Sequence, residues 1–431
     1  MSRNPFLERR AFLKQGALAA GGAFLTSGLC LASPNAATRR RARLVVVILR
    51  GALDGLAAVP PLGDRDYARL RGEFALRPPG EPKGALPLNG FFALHPALNF
   101  LHDCYAAREL IVFHAVASPY RERSHFDGQD VLENGTTLPH ASQSGWLNRA
   151  LAQLPGATRR EAGVALGQNV PLLMRGPAEV TSWSPSKLTG LDDDTLARIT
   201  DLYAHDPLLS VRLADALAAD AMVAEAGGMS AKPQDMPAAD GAAQGAPPQP
   251  GAKPAAQGGG DRYAEIVRAA AGFLRQEDGP QVAVFDTTGW DTHANEGGAE
   301  GQLAGRLTAL DKGLGTLRGE LGPVWNDTAV LLITEFGRTA AINGTRGTDH
   351  GTATMALLVG GAVAGGRVIA DWPGLSSRSL YQGRDLTPTL DLRSVLKGLL
   401  EEHLAIPARS LDTNVFPNSE RARPIRGLLK A

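Results

Sequence analysis

Five short segments of this 431-residue chain carry side chains able to do chemistry, and each one borders an apolar run. RGALDGL at 50–56 offers Asp54. SPYRERSHFDGQDVLENG at 118–135 offers Ser124 and His125. DTTGWDTHANEGG at 286–298 offers Asp286, Asp291 and His293. EFGRT at 335–339 offers Glu335 and Arg338, and GTDHGT at 347–352 offers Asp349 and His350. Carboxylates and imidazoles drawn from several loops suit one or two divalent cations: the carboxylates neutralise the ion and neutral imidazoles supply directional nitrogens. Such a centre lowers the pKa of bound water or polarises a phosphoryl or sulfuryl oxygen. Each residue also has a purely structural alternative. Asp54 beside Gly55 could stabilise a turn. Ser124 could cap a helix. His125 could bond a backbone carbonyl. Arg338 could pair with a carboxylate or clamp an anion.

The apolar runs are the elements that must position these groups. Leu44–Leu49, Leu110–Val116, Val282–Phe285, Thr328–Thr334 and Met355–Val359 are apolar on both faces and rich in branched residues, the signature of buried strands. Between them, helical spacing appears over Asp261–Gln276, Ala299–Leu321 and Asp391–Leu404. Strands alternating with helices predict an α/β/α sandwich with a mainly parallel central sheet. In such sheets ligands bind at the carboxyl ends of the strands, where four of the five segments fall; the fifth precedes a strand.

The remaining composition narrows the function. Hydrophobic residues are 44% of the chain and charged residues 20%, enough for a large core. Basic and acidic residues both number 44, which argues against binding nucleic acid through bulk electrostatics. Two cysteines exclude a disulfide framework and a thiolate zinc cluster. At the N-terminus, ERRAFLK at 8–14 precedes a soft Ala/Gly-rich stretch from Gly16 to Ala32. This resembles a twin-arginine export signal over 1–37, so the expected location is periplasmic or secreted, with no stable membrane span after cleavage. Cleavage there removes four basic residues and one acidic one, leaving three more acidic than basic residues. Residues 227–260 are aperiodic and rich in Pro, Gly, Ala and Gln, the composition of a disordered insertion. The tail from Pro417 onward also reads as loose.

The set RGALDGL, SHFDGQDVLENG, SGWLNRAL, GWDTHANEG, TEFGRT and GTDHGT resembles the domain-of-unknown-function 1501 family over roughly 42–415. That family is similar to the alkaline phosphatase and sulfatase superfamily, which implies an alkaline-phosphatase-like fold and divalent metal, zinc or manganese among the ions that suit, in one or two sites. The resemblance places Asp54, Asp291, His293, Glu335 and His350 as metal ligands and Ser124 as the nucleophile at a helix start, with Arg338 steadying the anionic group. The superfamily's Asp-His dipeptide is Glu335-Phe336 here, and Asp291 and His293 lie two residues apart where the phosphatases have four. One metal site is therefore incomplete, or His125 fills the gap. The expected function is an exported metal-dependent hydrolase acting on a small anionic phosphate or sulfate ester. The alternative is a periplasmic binding or assembly protein that keeps the fold without turnover. The expected partners are the twin-arginine export machinery and the ester substrate.

Overall fold

The computed structural model describes residues 41–154, 162–185 and 259–430, with isolated positions between 198 and 219. The expected export signal at 1–37 and all but the end of the expected insertion at 227–260 lie outside the described residues. The last two residues of that insertion, Gly259 and Gly260, already belong to a helix.

The strands are β1 (Arg43–Arg50), β2 (Leu86–Pro87), β3 (Ala93–Leu94), β4 (Leu110–Ala117), β5 (Gly163–Leu166), β6 (Thr181–Trp183), β7 (Val282–Thr288), β8 (Thr328–Ile333), β9 (Thr354–Val359), β10 (Arg367–Ile369) and β11 (Leu390–Asp391). Nine of them form one sheet in the order β10-β4-β9-β8-β1-β7-β5-β6, with β11 also on β4; β2 and β3 form a separate small ribbon. Helices are α1 (Gly55–Ala58), α2 (Tyr67–Arg71), α3 (Asn99–Ala106), α4 (His125–Asn134), α5 (Trp146–Leu151), α6 (Gly259–Arg275), α7 (Gln302–Leu321) and α8 (Leu392–Leu404).

The alternation of β1 shows how the layers arise. Val45, Val47 and Leu49 pack with Leu101 of α3, Phe273 of α6 and Leu307 and Leu314 of α7. Leu44, Val46 and Ile48 point the other way, onto Trp146 and Leu147 of α5 and Leu396 and Leu400 of α8. A strand buried on both faces requires a helical layer on each, so the chain is an α/β/α sandwich. Because β5 pairs directly with β7, the long segment between them interrupts one sheet rather than joining two domains.

Strand direction decides where the chemistry collects. Every neighbouring pair in the large sheet is parallel except those made by β9, which runs antiparallel to both β4 and β8. The carboxyl ends of β1, β4, β7 and β8 therefore share one edge with the start of β9. All five chemically equipped segments meet there. The end of β4 is further re-aimed by a bulge between His114 and Val116, with Ala115 at φ 55°.

The tail corrects the expectation of looseness. Leu428 is fully buried, Leu429 bridges to Val363, and the Lys430 amide donates to the Ala362 carbonyl at 2.8 Å. Apolar Ile425, Leu428 and Leu429 cover the sheet layer that holds α8. No helix among the described residues is long and apolar enough to cross a membrane.

Candidate metal centre

Four side chains converge at this strand edge. His125 is the first residue of α4, Asp291 and His293 follow β7, and His350 precedes β9. His350 Nε2 lies 2.9 Å from His125 Nε2, 2.9 Å from His293 Nε2 and 3.1 Å from Asp291 Oδ1. Asp291 Oδ1 is also 3.0 Å from His293 Nε2 and 3.4 Å from His125 Nε2. One ligand atom each from His125, Asp291 and His350 lies within 4.8 Å of the other two, the spacing of a metal-binding group.

The outward-facing nitrogens each meet an acceptor. His125 Nδ1 faces Glu335 Oε1 at 2.8 Å, His293 Nδ1 faces Asp349 Oδ1 at 3.3 Å, and His350 Nδ1 faces the Arg123 carbonyl at 3.0 Å. These three partners only accept hydrogen bonds, so each can take a proton from Nδ1, and a neutral ring so oriented has Nε2 free to ligate. With Nε2 unprotonated, His125, His350 and Asp291 Oδ1 present lone pairs to one another, and His293 Nε2 presents a further one to His350 and Asp291, an arrangement a cation would relieve. Acceptors on the far side of each imidazole are the usual outer shell of a metal-bound histidine. The donor set, two nitrogens and one oxygen with His293 Nε2 alongside, fits zinc, manganese or iron.

The His125 pKa is raised, chiefly by its hydrogen bond to Glu335, which outweighs burial. Burial pushes the Asp291 carboxyl up, but the charge of Arg338 and of the neighbouring imidazoles leaves it below the ordinary value. His350 is lowered by burial and then by the charge of His125. Phe336, which cannot bind metal, forms the wall: its ring is 5.0 Å from that of His125 at 29° and 5.3 Å from that of His350 at 53°.

Three expected site residues are engaged by other partners in this structure. Asp54 is not among the converging groups. Its Oδ1 accepts from the Leu56 and Ala57 amides and so caps α1, and its Oδ2 pairs with the buried Arg71. Glu335 stands outside the ligand set because its Oε1 already accepts from His125 Nδ1, the Gly51 amide and Gln129 Nε2, and its Oε2 from the Thr334 hydroxyl. Arg338 takes the ion-pair alternative. It is 1% exposed and spends its N–H groups on the Ala52, Thr348 and Trp290 carbonyls and on Asp291 Oδ1 at 2.7 Å. Ser124 is the N-cap of α4 by position, yet its hydroxyl makes no capping bond.

Gln129, Arg123 and the outer role of Asp349 were not legible from the segments alone. Gln129 had one signal: it lies four residues after His125, on the same helix face, and both reach Glu335.

Gly51 fixes the approach of the loops. At φ +118° it turns the chain out of β1, and a Cβ there would stand 2.6 Å from the Asp291 amide nitrogen. Gly51→Ala should lower stability by about 1–3 kcal/mol through backbone strain and displace Asp291. Chemical denaturation paired with a metal titration checks both effects.

An α/β/α protein with a cluster of three imidazoles and one carboxylate at the carboxyl edge of its sheet is the class that fold and site define. The chain belongs to the family described as "Protein of unknown function (DUF1501)", whose model matches residues 114–413. No match was found among curated proteins. Among solved structures, the chain is similar to Ps i-CgsB in complex with k-i-k-neocarrahexaose, with 11% identity, 89% of this chain and 77% of that one covered, and a TM-score of 0.38. It is also similar to the phosphonate monoester hydrolase of Agrobacterium radiobacter, with 10% identity, coverages of 84% and 73%, and a TM-score of 0.37.

Proposed function

We propose that this chain is an exported, metal-dependent hydrolase of a small anionic phosphate or sulfate ester. The observation that carries the reading is the convergence of three Nε2 atoms and Asp291 Oδ1, each imidazole held from behind by an acceptor. His125, Asp291, His293 and His350 would hold the ion. Bound there, a divalent cation supplies Lewis-acid polarisation of an ester oxygen. Ser124 is the proposed nucleophile. It heads α4 beside His125, its hydroxyl is uncommitted to capping, and a helix start favours the negative charge that develops there. Phosphate ranks ahead of sulfate because the dedicated Cys/Ser-x-Pro-x-Arg motif of sulfatases does not occur near Ser124. Export rests on the paired Arg9 and Arg10 with Phe12, Leu13 and Lys14.

Two observations favour a second reading, a periplasmic binding or assembly protein without turnover. Phe336 occupies the wall between two imidazoles, and Arg338 is spent on Asp291 rather than offered to a substrate.

The test is hydrolysis of nitrophenyl phosphate, bis-nitrophenyl phosphate and nitrophenyl sulfate by metal-loaded protein, with Ser124→Ala alongside. Loss of the nucleophile should lower kcat by at least about 10³-fold. Undiminished activity in Ser124→Ala would remove the serine from the reaction. Absence of turnover on every ester by the wild-type protein would favour the binding reading.

A further inference from the structure

We propose that Asp385, which touches none of the four converging groups, is a positioning residue for the metal centre: through the Arg123 side chain it sets the backbone carbonyl that orients His350. The inference rests on the reading of His350 as a metal ligand and adds a residue that neither the motifs nor the family resemblance indicates.

Arg123 sits at φ +62°, a left-handed conformation that a side chain with a Cβ disfavours. In that conformation its carbonyl accepts from His350 Nδ1 at 3.0 Å, which leaves Nε2 bare toward the cluster. Something must hold the strained residue, and the side chain does so. Arg123 Nε and Nη2 reach Asp385 Oδ2 at 2.8 and 2.7 Å, Nη2 also donates to Gln382 Oε1 at 2.7 Å, and the guanidinium lies 5.9 Å from the Tyr381 ring centroid. Asp385 is fully buried, and its Oδ2 also accepts from the Thr352 hydroxyl at 2.8 Å.

The loop that carries Asp385 grips the same histidine a second time. Tyr381 and Asp385 exchange backbone hydrogen bonds at 2.9 and 3.1 Å, and the Arg384 carbonyl accepts from the Ala340 amide. Arg384 Nη2 then donates to the His350 carbonyl at 2.7 Å. Arg384 Nε stands 3.2 Å from Asp385 Oδ1 without hydrogen-bond alignment, so Arg123 is the directed partner of Asp385. The loop over 381–385 thus holds the His350 backbone directly and its ring through Arg123. Strained backbone beside a site is retained where surrounding contacts over-determine it, and outer groups that orient a ligand are worth about 10- to 100-fold in metal affinity.

The test reads ¹⁵N signals of the histidines in the metal-free full chain, then titrates the same samples with Co²⁺. In the wild type, His350 should carry its proton on Nδ1 alone. Asp385→Asn should show mixed tautomers at His350 and bind Co²⁺ about 10- to 100-fold more weakly. Adding Arg123→Gly should recover most of both, because glycine takes a positive φ without an anchor. An unchanged tautomer and affinity in Asp385→Asn would overturn the proposal, as would a double variant no better than the single one. Should Asp385→Asn fail to fold, Arg123→Gly and Arg123→Val provide the comparison, since both lose the same guanidinium. Valine should bind Co²⁺ at least about 10-fold more weakly than glycine; equal affinities would overturn the proposal. A fixed Nδ1 tautomer with no Co²⁺ uptake would sink the metal reading while leaving the orienting contact standing. Co²⁺ uptake with a tautomer insensitive to position 385 would sink the contact alone.

Discussion

Replacing His350 by alanine should abolish stoichiometric divalent-metal binding while leaving the fold intact. His350 Nε2 is the atom on which the cluster centres, within 3.1 Å of both other imidazoles and of Asp291. Its removal takes away one of four donors and the contact between the other two rings. The loss should exceed the 10- to 100-fold that substitutions behind a ligand typically cost, about that range being expected for Glu335→Gln. Asp291→Ala should behave differently again. It deletes a donor and also leaves the fully buried Arg338 side chain without its carboxylate. An uncompensated buried charge costs about 3–5 kcal/mol, reduced here because the Asp291 side chain is 41% exposed. Isothermal titration with Zn²⁺, paired with thermal melts of the metal-free variants, separates the three. Metal retained by His350→Ala would contradict the assignment, and Glu335→Gln as damaging as His350→Ala would return Glu335 to the ligand set.

The second large effect lies beneath the site. Asp54 and Glu296 share one cation, Arg71, and all three are buried. Arg71→Met should destabilise the protein by about 3–5 kcal/mol, a large share of an ordinary domain's stability, because the buried Asp54 carboxylate loses its counter-charge. The cluster should also make stability fall with pH. Burial, and then the charge of Asp54, raises the Glu296 pKa to about 8. In the unfolded chain it is about 4.3. Between those values the folded state binds the extra proton. The contribution of Glu296 is therefore fully present below the unfolded value and is lost as pH rises through about 8, at up to about 1.4 kcal/mol per pH unit. Burial raises Asp54, but Arg71 and hydrogen bonds outweigh it and leave Asp54 lowered, so its own contribution is lost only on the acid side. Glu296→Gln should flatten the alkaline fall. Its carboxylate Oε2 also takes the hydroxyls of Thr292 and Thr348 at 2.9 and 2.6 Å, which ties together the loops that carry Asp291, His293 and His350. Urea unfolding from pH 5 to 9 reads the slope; identical curves for wild type and Glu296→Gln would contradict it.

Most of the sheet was legible because its strands are continuous apolar runs. Leu44–Leu49, Leu110–Val116 and Met355–Val359 each match an observed strand to within a residue or two. An apolar run carries no direction, so the antiparallel course of β9 was invisible until its neighbours were in place. The short β5 and β6 were missed because four- and three-residue strands leave no period to read. At the site, the four groups that converge were all among the expected ligands. The two that do not, Asp54 and Glu335, were drawn away by partners that no local pattern contains: Arg71 for the first, Gln129 and the Gly51 amide for the second. A residue type at a strand end shows what chemistry is available. Which lone pairs are already taken is decided by contacts that no local pattern contains.

X-ray absorption at the zinc edge of the zinc-loaded full chain, with metal content measured on the same sample, tests the central claim most directly. The proposal predicts one ion per chain, held by imidazoles and an oxygen donor. No bound ion, or an ion whose surroundings lack imidazole scattering, would contradict it.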